Sequence, residues 1–146
     1  MGTWLAANWF TLIQTAGVVG GLFYSATALH LDAKVRRTEV ILALTEAHRD
    51  IWEKLIDQPA LGRVLEPNAA LLKMPPSPAE RRFVQLVLLH LDTVRTAAKE
   101  GTYQISPGMI DDVRAFLRLP IPNEVAVSTL PYQSTDFQYF VKDLLS

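Results

Sequence analysis

The chain has 146 residues, with 14 Lys and Arg against 15 Asp and Glu and a formal net charge of −1. That near-balance, without a long run of like charge, argues against a nucleic-acid binder that relies on bulk electrostatics. The absence of cysteine excludes disulfides and thiolate metal sites.

The charges are unevenly placed. Met1 to Leu31 contain no Asp, Glu, Lys or Arg, and Asp32, Lys34, Arg36 and Arg37 follow at once. At about 1.5 Å per residue, a helix from Leu5 to Leu31 is long enough to cross a hydrocarbon core of roughly 30 Å. A cleaved signal peptide is the rival reading, with Ala26-Thr27-Ala28 as its small-residue site. Its positive n-region is missing, and its apolar core should be only about 7–15 residues long. The basic cluster just after the span predicts the N-terminus outside and everything from Asp32 onward in the cytoplasm. Trp4, Trp9 and Phe10 fall at the outer end, where amphipathic rings favour the headgroup layer. Residues 1–31 are therefore expected to be a transmembrane helix.

From Ala33 to Ile56 there is no Pro or Gly, so the helix is expected to continue as a stalk over residues 32–58. Together the two would form a rod of about 75 Å. Ile41, Leu44, His48, Ile51, Trp52 and Leu55 recur at helical spacing as one apolar stripe. Arg49–Glu53 and Asp50–Lys54 are (i, i+4) pairs on the opposite face. Pro59 ends the stalk, and residues 59–146 are expected to form a small helical domain packing on it. Within that domain Ala60–Leu65 suggests a short helix. Ser77, Pro78 and Glu80 form a capping-box pattern for a helix to about Lys99 that is apolar nearly all round and stops at Gly101. Ser106-Pro107 opens another helix, ending near Leu119. Leu119 to Gln133, with Pro120, Pro122 and Pro131, reads as irregular or extended. Ser134 or Thr135 then caps a last helix.

The fold class is thus all-α, and the richest functional signal lies in the span. At 100° per residue Gln14, Gly17, Gly21, Tyr24, Ser25 and Ala28 share one face. Gly17 and Gly21 form a GxxxG pair, and small residues let helix backbones approach closely in lipid. This face is the candidate oligomer seam. A sharper version makes it a pore lining, with Asn8, Thr11, Gln14, Thr15 and Ser25 supplying polar groups. The Ile41–Leu55 stripe is a candidate second seam, in which His48 could fix register or respond to pH. His90 sits beside Leu89 and Leu91 on the central helix. No two histidines show metal-ligand spacing, so neither a metal nor a cofactor is expected. Asp111 and Asp112 are adjacent and diverge on a helix, which suits helix-start electrostatics better than acid–base work. No nucleophile elbow, phosphate-binding loop or dinucleotide glycine pattern occurs, so no enzyme is expected.

Leu44-Thr-Glu-Ala-His-Arg-Asp-Ile-Trp52 and Pro59-Ala-Leu-Gly-Arg-Val-Leu65 resemble a pattern in uncharacterised bacterial proteins with a membrane helix, a helical stalk and a small helical domain. The resemblance covers roughly residues 9–70 and implies a single-pass bacterial inner-membrane protein without an assigned activity. By architecture alone, the chain is also similar to small membrane effectors of bacterial anti-phage defence. The expected function is a homo-oligomeric membrane effector, in its sharper form a channel gated by the cytoplasmic domain. Its expected partners are lipid, further copies of itself and a cytoplasmic protein or small-ligand regulator. The alternative is a membrane-anchored adaptor with no transport activity.

Overall fold

The computed structural model describes residues 2–145, without the side chains of residues 2–7 and 12. The side chain of Trp4, an expected interfacial anchor, lies outside the described residues. Every regular element among the described residues is helical. The first helix, α1, runs from Gly2 to Asp57. Two compact units divide the chain, at residues 1–39 and 40–146, so the last turns of α1 belong to the second unit.

The first unit is helix alone. Its described apolar side chains from Trp9 to Val35 are exposed, among them Leu22 at 66%, Phe23 at 70% and Leu29 at 70%. Its hydroxyls are partly satisfied by the helix itself. Thr15 Oγ1 donates to Thr11 O, and Thr27 Oγ1 to Tyr24 O, each at 2.8 Å. Backbone back-bonding of this kind leaves fewer polar groups in need of an outside partner. Asp32 and Arg36 pair at 2.8 Å where the charges begin.

The second unit contains one main buried cluster and a smaller one beside it. A 3-10 helix covers Pro59–Leu65. After it come α2 (Pro78–Lys99), α3 (Pro107–Leu117), α4 (Pro120–Thr129), a 3-10 turn (Leu130–Tyr132) and α5 (Thr135–Leu145). Caps set the boundaries. Ser77 and Glu80 form the expected reciprocal capping box at the start of α2. Ser106 Oγ accepts from Met109 N, and Ser134 Oγ accepts from Phe137 N, each at 3.2 Å. Gly101, at φ 73°, provides the left-handed residue that follows α2. Between Leu119 and Gln133, where an irregular segment was expected, the chain instead forms α4. Pro120 and Pro122 lie in its first turn, where a missing N–H costs nothing, and Leu119 is already extended before them.

Helix α2 is central. Phe83, Val84, Leu88 and Leu91 pack with Val64, Leu117, Ile121, Val125, Phe137, Val141 and Leu144 in one buried cluster, which Ile51 of α1 also joins. Apolarity nearly all round α2 does not mean burial all round, since Leu89 is exposed. Ion pairs tie the elements to α2. The carboxylate of Glu80, buried at the cap, faces Arg63 at 3.5 Å. Arg81 reaches Glu124 on α4 at 2.7 Å. Asp136 on α5 accepts from Arg95 at 2.6 and 3.0 Å and from Lys99 at 2.6 Å. Arg95 also lies 4.9 Å above the centre of the Phe140 ring.

Candidate functional site

The two expected seams have different surroundings. In the span, Gln14, Gly17, Gly21, Tyr24, Ser25 and Ala28 are all exposed. A Cβ built on Gly17 or Gly21 meets nothing within 4 Å. The chain's own packing therefore gives no reason for glycine at either position.

The stripe on the last turns of α1 is used within the chain. Leu44 and Ile51 are buried and Leu55 is partly so. Leu44 packs with Val94 and Ala97 of α2, beside Val40, Tyr103, Ile105 and Met109. Ile41, His48 and Trp52 stay exposed on the same stretch. On the outer face Arg49 meets Glu53 at 3.5 Å and Glu46 at 3.8 Å. The expected Asp50–Lys54 pair does not close among the described ion pairs, and Arg49 instead bridges two acids.

Within the second unit, these turns of α1 form one wall of a cleft of about 930 Å³ with α2 and α3. Leu44, Ile51 and Leu55 line it together with Phe83, Val87 and Val94 of α2 and Met109, Val113 and Phe116 of α3. Its polar groups are few and include His48, His90 and Asp112. The fold brings His48 and His90 together, with ring centres 5.7 Å apart. Trp52 Nε1 donates to His48 Nε2 at 3.0 Å, which fixes that nitrogen as an acceptor. Burial lowers the pKa of His90, and the neighbouring His48 lowers it further. A positive charge on His90 would have to leave water and face a second imidazole.

Nothing in the sequence pairs the two histidines, which lie on different helices. The available signal was on α3. Met109, Val113 and Phe116 recur at helical spacing beside Leu117, the buried residue of that helix. Val113 and Phe116 pack against the main cluster and Met109 against the smaller one, and all three also line the cleft. Asp111 and Asp112 part as expected for helical neighbours: Asp111 accepts from Arg114 at 2.7 Å, whereas Asp112 lines the cleft. No group of three or more metal-ligating side chains occurs among the described residues.

Compared with protein families, curated proteins and solved structures, the chain shows no significant match.

Proposed function

We propose that residues 5–31 cross a membrane and that copies of the chain associate there through the face of Gln14, Gly17, Gly21, Tyr24, Ser25 and Ala28. The unit of residues 40–146 then lies in the cytoplasm and regulates the assembly. The observation that carries this reading is the exposure of the large apolar side chains described between Trp9 and Val35. Burying one large apolar side chain is worth about 1.5–3 kcal/mol. A whole row left in water is not a stable arrangement, and lipid or a second copy of the helix is the natural cover. The open faces of Gly17 and Gly21 support close helix approach, the main route to association where lipid removes the hydrophobic drive.

On this reading the protein is a homo-oligomeric, non-enzymatic membrane effector, and ion conduction through the assembled helices is its sharpest form. Gln14 and Ser25 are the polar groups of the expected conduit that also lie on the seam face, and Thr15 donates to its own helix. The adaptor alternative has one observation in its favour. A groove of about 440 Å³ between Val127, Leu130, Pro131, Gln138, Lys142 and Leu145 lies on the segment an adaptor would use to dock a partner.

The mass of the detergent-solubilised protein tests association. An oligomer that Gly17→Ile and Gly21→Ile break down to smaller species supports the seam, and a monomeric wild type removes both seam and channel. Ion flux through reconstituted bilayers then separates effector from adaptor.

A further inference from the structure

We propose that the cleft between the last turns of α1, α2 and α3 binds a small amphipathic amine, an apolar ring-bearing molecule with one protonated nitrogen. Its volume of about 930 Å³ falls in the roughly 300–1,000 Å³ range of small-molecule sites. The walls are the apolar side chains already described, joined by the rings of Trp52, Phe83, Tyr103 and Phe116. Such a surface takes up an apolar body and rejects a strongly hydrated one.

The charges select the head group. No Lys or Arg is among the described residues lining the cleft, so a phosphate or carboxylate would enter without a counter-charge from either. Apart from the two histidines, Asp112 is the one ionisable acid or base among the described lining residues that is charged at neutral pH. It is exposed and takes part in none of the described ion pairs, whereas Arg114, the nearest cation in sequence, is held by Asp111. His90, half-buried beside His48, adds no opposing positive charge at neutral pH. An ammonium in the cleft therefore meets one carboxylate among aromatic rings, side chains whose faces attract cations. This inference goes beyond the membrane reading and does not depend on it.

The test is a titration of the full chain in detergent at neutral pH, followed through the ring protons of its three histidines. The probes are phenylbutylamine, phenylbutyrate and phenylbutanol, which share a body and differ in head group. The amine should shift His48 and His90 while leaving His30 in place. It should bind about ten-fold more tightly than the carboxylate, the combined effect of one attraction and one repulsion at a partly wet carboxylate. Asp112→Asn should bring the three probes together. Ala115→Trp, at an exposed position lining the cleft, should abolish the shifts without disturbing the core. Equal binding of carboxylate and amine overturns the proposal, as does a preference that survives Asp112→Asn. Parallel shifts of all three histidines would indicate partition into detergent and also overturn it. So would silence toward every probe, whether or not a rise in mass shows a second copy covering the cleft.

Discussion

Residues 9–35 and residues 40–146 are built from the same apolar side chains, and those side chains meet opposite fates. Phe23 is 70% exposed and Val18 58%, while Phe137 and Val64 are fully buried. Among the described residues the first unit has no second element to cover its helix, whereas in the second a 3-10 helix, α3, α4 and α5 share one buried cluster with α2. Hydropathy alone cannot separate these cases, because it reports a demand for cover and not its source. In the second unit the chain meets that demand itself. In the first the described residues leave it unmet, and the proposed function assigns that cover to lipid or to another copy.

Four substitutions or conditions sharpen the contrast. Phe137→Ala should cost about 3–5 kcal/mol of domain stability, read by chemical denaturation, while leaving membrane association unchanged. Val18→Arg should do the reverse. A central arginine costs about 2.5–3.5 kcal/mol of insertion free energy, so the chain should shift toward the soluble fraction while residues 40–146 keep their melting transition. Ser77→Ala removes one half of the capping box and should cost about 1 kcal/mol, again confined to the second unit. If any of these crossed from one unit to the other, the division between them would be wrong.

The smallest effect is the dependence on pH. The folded-state pKa of His90 lies below its ordinary value of 6.5, so the unfolded chain binds the proton more readily. Stability should therefore be full above about pH 6.5 and decline as pH falls from there toward the folded value, then level off. His90→Phe should flatten that slope. Asp136, lowered by its hydrogen bonds from Arg95 and Lys99, acts in the same direction but only below its ordinary 3.8. The two windows are separate, and a slope near pH 6 that persists in His90→Phe would assign it to another group.

Local chemistry was the most readable part of the fold. The serine caps at 77, 106 and 134 and the stop at Gly101 mark helix ends by hydrogen bonds made within a few residues. Helix α4 was missed because three prolines in one segment look like a broken chain. Their meaning depends on register: in a first turn, Pro120 and Pro122 are compatible with helix. The stripe from Ile41 to Leu55 was readable as a face, but its cover was not. Leu44 and Ile51 turn inward to the chain's own helices, while Ile41 and Trp52 remain outside. The cleft was the least readable feature. His48 and His90 lie on different helices, and only tertiary packing brings their rings to 5.7 Å.

Fractionation of the full chain addresses the central claim most directly. After lysis without detergent and an alkaline wash of the membranes, the protein should remain in the pellet and be released only by detergent. Recovery of intact chain from the wash supernatant would contradict a lipid-crossing helix and, with it, the reading of Gly17 and Gly21 as a seam within the bilayer.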